Sequence, residues 1–465
     1  MKFSRLLGLS VGALLLAGCG STAAPSAAPA SSAAAASASA KPAGSAAAKP
    51  SSAASTKPAA SGAAAATSGS PIRIGDIVPL TGVQAILGKD NQDGMNLYLD
   101  SINSTVAGRK IEVTYADDGA SPDTGLTKAK ELVENQHVSL LMGFNATPVC
   151  YAVATYVKQA QVPMAITSNC AAQDVLLDPK YKSPYVSRWT INNGDFAAAG
   201  GWLYKQNFKK VSIFAADFGA GHEFVDAFSA AFVGAGGSVV QVQYPKVGTT
   251  DFGPVLAQLD PSADVVATFL PGIDGLRFFD QYAGSGHKQP AYDSTNSGTA
   301  GPPLDQLKDK AVGLLGTNIY SLALDTPQNQ TFLKAFAAKF PGRSVSSTVA
   351  NGYASAQVLE AALKNVNGNI EDKQAFMDAL YSVNIETAKG PLKLDSNHDI
   401  VQNVYAFTVV KDASGGYGQK LLDTMKDVTA EYTWTPQQMD KLQIGKDAIK
   451  WTTMDKAKLD ALLKG

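Results

Sequence analysis

Cysteine is scarce in this sequence, three residues in 465, and no two of them form a CxxC pair. That removes a thioredoxin-type redox motif and the paired-cysteine zinc sites. The four histidines, His137, His222, His287 and His398, are scattered, and there is no glycine-rich phosphate loop. Basic clusters are missing as well. Residues 71–465 carry 34 Lys plus Arg against 40 Asp plus Glu, formally −6, which offers nucleic acid or anionic lipid little to bind. No segment of that body approaches the ~20 apolar residues of a spanning helix. Two catalytic patterns begin and fail. Gly8-Leu9-Ser10-Val11-Gly12 has the form of a nucleophile elbow but lies in the apolar N-terminal run. His222-Glu223 opens a zinc-protease pattern that has Asp226 where the second His belongs. No enzyme activity, metal or cofactor is therefore expected; a triad assembled from distant residues is the enzymatic alternative.

The N-terminus is informative. Lys2 and Arg5 precede a short apolar run, Leu6 to Ala17, which closes with Leu16-Ala17-Gly18-Cys19. This resembles the lipobox of bacterial lipoproteins, which implies that residues 1–18 are a signal peptide and that Cys19 is acylated and anchors the chain outside the cytoplasm. An ordinary secretory signal is the alternative, and it too exports the chain. Residues 19–70 are almost wholly Ala, Ser, Pro, Gly and Thr, with no aromatic residue. Such a stretch cannot bury enough apolar area to offset its ordering entropy, so a disordered tether with a mean span of roughly 40 Å is expected. In an oxidising compartment Cys150 and Cys170 remain as an even pair and are expected to form a disulfide, both placed in loops at one edge of a sheet. Two free buried thiols are the alternative.

The body of 395 residues from Pro71 is too long for one core and suits two lobes. Strand-like runs at 72–78, 110–115, 139–142, 163–167, 211–215, 239–244 and 264–270 alternate with helical patterns. The latter lie at about 90–102, 121–134, from Thr147 on, 223–233, 252–259 and 275–283. Alternation at this spacing argues for an α/β fold of mainly parallel sheets flanked by helices. Helices near 328–340, 350–365 and 373–380 should complete the lobes; residues 434–465 form an extension of no evident function.

In open α/β sheets ligands collect outside the carboxyl ends of the strands. The best such loop is 143–148: Asn145, Ala146 and Thr147 end a strand, Thr147 can cap the next helix, and Pro148 needs no amide hydrogen there. Free N–H groups at that helix start suit a carboxylate; that Thr147 only caps its helix is the alternative. The loop holding Asn169, Cys170 and Ala171 has small side chains that would admit a ligand to the backbone. Phe218 and Phe269 end strands of the second lobe.

The blocks Ile72 to Gly82, Leu87-Gly88, Asp93-Gly94, Gly108 to Val113, Asp117-Asp118, Val162-Pro163 and Thr250-Asp251-Phe252 resemble the branched-chain amino-acid-binding proteins of ABC importers. The resemblance implies a two-lobed periplasmic-binding-protein type I fold with a three-stranded hinge crossed near Trp189, Thr317 and Leu394. The lobes would be 71–190 plus 318–394 and 191–317 plus 395–433. It implies that Thr147 holds a ligand carboxylate, that the Asn169 carbonyl accepts an ammonium, and that Phe218 and Tyr320 line the cleft. Departures matter: Leu87 replaces a common aromatic, Ala171 lacks a hydroxyl, and Asp293-Ser294-Thr295 has no clearly aligned acid for an ammonium. An amide, a urea-like compound, an aromatic acid or another carboxylate therefore competes with leucine-type ligands. The expected partners are a small polar solute, ABC permease subunits and, through the anchor, a membrane. The protein itself is expected to be a monomer, with a signalling receptor of the same fold as the other reading.

Overall fold

The computed structural model describes residues 69–413 and 415–464. The N-terminal apolar run, Cys19 and the tether up to Thr67 and Ser68 lie outside the described residues. From the start of the body the chain runs β1 (Ile72–Val78), α1 (Ala85–Ser101), β2 (Thr105–Val106), β3 (Arg109–Asp117), α2 (Pro122–Lys130), β4 (Leu140–Gly143), α3 (Thr147–Ala160), β5 (Met164–Ile166), α4 (Asp174–Leu177) and β6 (Val186–Arg188). These strands form one six-stranded sheet in the order β2-β3-β1-β4-β5-β6, parallel except for β2. Local chemistry explains the helix starts. Ser121 caps α2 by accepting the Thr124 N–H, Pro122 stands in its first turn, and Asp123 follows. The helix then widens into a π turn over Glu131–Asn135.

The second sheet takes β7 to β15. The chain continues α5 (Asn193–Lys205), β7 (Lys210–Ala215), α6 (Gly219–Gly234), β8 (Ser238–Gln243), α7 (Gly253–Leu256), β9 (Val265–Phe269), α8 (Ile273–Gly284), β10 (Ala291–Asp293), α9 (Gly301–Leu307) and β11 (Leu315–Asn318). Three helices follow, α10 (Pro327–Lys339), α11 (Ser347–Asn365) and α12 (Lys373–Tyr381), then β12 (Asn384–Thr387), β13 (Gly390–Leu394), β14 (Ile400–Lys411) and β15 (Tyr417–Val428). The order is β12-β13-β14-β11-β10-β9-β7-β8, with β15 on β14. Strands β8, β7, β9, β10 and β11 are parallel; β11 to β14 and beyond are antiparallel. The last helices are α13 (Pro436–Leu442) and α14 (Lys456–Lys464).

Each sheet has its own buried core. Ile74, Met95, Leu140 and Leu359 belong to one, and Ile213, Phe224, Phe228 and Val265 to another. Strand β14 passes between them: Ile400 packs in the first, Ala406 in the second. The stretch after β6 is tied to β14 by a buried Arg188–Asp399 ion pair, by Asn192 Nδ2 donating to the Ile400 carbonyl at 3.2 Å, and by Gln402 Nε2 donating to the Thr190 carbonyl at 3.2 Å. A fully buried pair of this kind is costly to desolvate and more costly to break one side at a time.

Three expectations are corrected. The helix expected at 252–259 is only Gly253–Leu256, with Phe252 at its N-cap and buried in the core. Cys150 lies inside α3 and not in a loop, although it is bonded to Cys170. Tyr320 is a core residue, in a cluster with Phe332 and Tyr353, its hydroxyl donating to Asn329 Oδ1 at 2.9 Å. Among the described residues no helix is long and apolar enough to cross a membrane.

Candidate functional site

The carboxyl ends of β1, β4, β5, β7, β9, β10 and β11 converge on one cavity of about 40 Å³ between the sheets. Its first-lobe wall is Gln84, Leu87, Asn145, Asn169 and Ser347; its second-lobe wall is Phe218, Ala220, Phe269, Pro271, Ser294 and Thr295, with Ile191 and Asn318 from the connections between lobes. The first wall is a polar ladder. Asn145 Nδ2 donates to Gln84 Oε1 at 2.6 Å, and Asn169 Nδ2 donates to Asn145 Oδ1 at 3.0 Å and to Thr348 Oγ1 at 3.1 Å. The ladder stands where it does because β4 ends in a turn that only Gly143 fits. Its φ is +95°, and a Cβ there would lie 2.4 Å from Asp76 Oδ1.

The second wall is aromatic, with the Phe218 and Phe269 rings tilted and their centroids 6.1 Å apart. Phe218 is the extended residue before α6, so Ala220 presents the first turn of that helix to the cavity. Helix α3 starts opposite: the Thr147 methyl lies 3.2 Å from where a Cβ on Gly219 would sit. Two helix N-termini, each with unsatisfied N–H groups and partial positive charge, therefore meet across the gap.

Of the residues singled out from sequence, Leu87, Asn145, Asn169, Phe218, Phe269 and Ser294 line the cavity. Ala146, Thr147, Cys170, Ala171 and Tyr320 are not part of its wall. Thr147 does not cap α3: Ala146 holds that position and Thr147 is the first helical residue. Its hydroxyl is buried and has no hydrogen-bond partner among the described residues. Ala171 packs in the second lobe's cluster with Phe196 and Phe224, and Cys170 is committed to Cys150. Gln84, after β1, and Asn318, the last residue of β11, were missed although the same carboxyl-end rule applies to both strands. Ser347 comes from the start of α11, which carries no such signal.

Among the described residues no charged side chain lines the cavity. Asp293 stands just behind Ser294, but its own loop consumes it. Its Oδ1 accepts from the Thr295 N–H at 2.9 Å, and its Oδ2 from the Gly298 N–H at 2.8 Å and the Thr299 hydroxyl at 3.1 Å.

The sequence profile of the periplasmic binding protein family matches residues 71–416. A Leu/Ile/Val-binding protein homologue of Brucella melitensis is 30% identical over 373 residues, 78% of this chain and 94% of its own length. The chain belongs to the branched-chain amino-acid-binding family of ABC solute-binding proteins. Solved members agree in fold. The ABC transporter substrate-binding protein from Sphaerobacter thermophilus superposes with a TM-score of 0.72 at 30% identity, covering 77% of this chain and 98% of that one. A solute-binding protein from Rhodopseudomonas palustris BisB5, in complex with 3,4-dihydroxybenzoic acid, gives 0.72 at 29% identity with the same coverage. A leucine-binding protein from Thermotoga maritima gives 0.65 at 21% identity, covering 76% and 99%, a likeness of fold alone. The family's two-lobed architecture accounts for the paired sheets and for the cavity between them.

Proposed function

We propose that this binding protein captures an apolar carboxylate of the benzoate class by closing its lobes over it, and delivers it to an ABC importer without chemical change. The carrying observation is the uncharged cavity with an aromatic second wall. An amino-acid ammonium would be buried there without a counter-charge, at a cost of several kcal/mol (roughly). A ring meets Phe218, Phe269, Leu87 and Ile191 instead, and its carboxylate can turn toward the paired helix starts at Thr147 and Ala220. The dihydroxybenzoate complex of the R. palustris relative is consistent with this reading. The lobes are taken as 71–190 plus 318–394 and 191–317 plus 395–433, and Cys19 as a lipid anchor holding a monomer at the membrane.

Titration calorimetry with sodium benzoate, 4-hydroxybenzoate and leucine tests the ligand class. The benzoates should bind and leucine should not; tight leucine binding with no benzoate signal would overturn it. Thr147 stands outside the wall, but its buried hydroxyl has no partner among the described residues; on closure it would donate to the carboxylate, so Thr147→Ala should weaken benzoate binding by about 1–3 kcal/mol, the cost of stranding a buried charged partner. Unchanged affinity would leave Thr147 outside the site.

A further inference from the structure

The geometry points to residues 434–464 as an interlobe clasp, rooted in the second lobe and gripping the first through Lys446, that sets how long the closed form persists. The segment lies beyond the family match, which ends at residue 416. Its root is firm. Met439, Leu442, Ile444, Trp451 and Leu459 are buried in the same cluster as Ile213 and Phe224. Asp226 on α6 accepts the Trp451 indole N–H at 2.7 Å and the Gly445 N–H at 2.8 Å. Asp447 pairs with His222 at 2.8 Å and accepts the Tyr244 hydroxyl at 3.3 Å. His222, which opens the failed zinc-protease pattern, and Asp226, which stands where its second His would be, thus hold this segment in place.

From that root the chain turns toward the other lobe. Gln443 and Gly445 both adopt positive φ, 46° and 78°, and the turn projects Lys446 onto Asp174 at the start of α4, with which it forms an ion pair. The same turn covers a second crossing. A Cβ on Gly445 would lie 2.8 Å from Glu223 Cγ. Glu223 Oε1 accepts the Tyr151 hydroxyl of α3 at 3.1 Å and the Gln173 N–H at 3.3 Å, both from the first lobe. Tyr151 and Glu223 stand one turn along α3 and α6 from Thr147 and Gly219, beside the cavity but not in its wall. A groove of about 640 Å³ separates α4 from α13, so Lys446 spans an open gap and its bond can be made and released as the lobes move. Contacts that exist only with the lobes together favour closed over open without touching the solute.

The inference rests on the closure reading given above, and its test separates the two. Lys446→Glu places like charges opposite Asp174; Lys446→Met removes the charge and keeps the stem; Lys446→Glu with Asp174→Lys restores the pair in reverse. Small-angle scattering of the full-length protein is recorded without ligand and with sodium benzoate, and benzoate dissociation is followed by stopped-flow tryptophan fluorescence. The expected result is a larger radius of gyration for ligand-free Lys446→Glu than for wild type, and benzoate release faster by about three- to tenfold. Lys446→Met should give a smaller change, as suits an exposed pair, and the double reversal should recover wild-type values. Identical ligand-free scattering and identical release rates in all four proteins would overturn the clasp, while compaction of the wild type on benzoate would leave closure standing. Absence of compaction on benzoate in both wild type and Lys446→Glu would defeat the closure reading and the clasp with it.

Discussion

Asp76 on β1 is fully buried under the Gly143 turn, with Asn91 Nδ2 at 3.5 Å from its Oδ2 and no partner for Oδ1 among the described residues. Burial first, and the Asp118 charge second, push its pKa up from 3.8 to about 7. Between those values the folded chain holds a proton that the unfolded chain has lost, so this residue's contribution falls as pH rises through that window and is fully unfavourable above it. Asp76→Asn should therefore raise stability at pH 8 by on the order of 2–4 kcal/mol and change little at pH 4. Urea denaturation at both pH values checks it; an equal effect at the two would show that charge is not the cause. At this scale the sequence was partly legible. That Asn145, Asn169 and Phe218 line the cavity is readable because loops after parallel strands are few. Thr147 was placed in the right turn but given a cap's role, since a hydroxyl before Pro reads alike one position either way. Tyr320 was misplaced because an aromatic near a strand end looks the same whether it faces a core or a cleft.

At the scale of elements, α1 and α11 pack so closely that their backbones nearly touch. A Cβ on Gly94 would sit 1.9 Å from the Val349 carbonyl oxygen, and one on Gly352 would sit 2.1 Å from that of Asn91. Both helices also supply the cavity, Leu87 from one and Ser347 from the other. Gly94→Ala should force them apart, costing about 1–3 kcal/mol or more of stability and weakening benzoate binding; denaturation and calorimetry on one preparation read both. A stable variant with full affinity would mean the helices part without disturbing the wall. Alternating parallel strands and amphipathic helices were readable because their periods differ. Helix α5 was not: Asn193 to Leu203 is buried throughout, and a helix with no wet face has no polar stripe to betray it. The β14–β15 hairpin escaped as well, since the exposed side of β15 carries Lys420, Asp423 and Lys426 with no clean alternation.

For the whole molecule, the Cys150–Cys170 bond matters beyond its own loop. Both residues are buried in the first lobe, 20 positions apart, and crosslinks of that span contribute roughly 3 kcal/mol. Denaturation with and without reductant should differ by about that amount, and thiol titration of unfolded protein should find two more reactive groups after reduction than before. Equal counts would mean the thiols are free. The bond joins the helix that begins at Thr147 to the loop that supplies Asn169, so it staples two parts of one wall. A copy held back in the reducing interior would keep a loose receptacle and a poor grip. Capture would then switch on only after export, and the cell's internal store of the same compound would be left untouched by a receptor still waiting to leave.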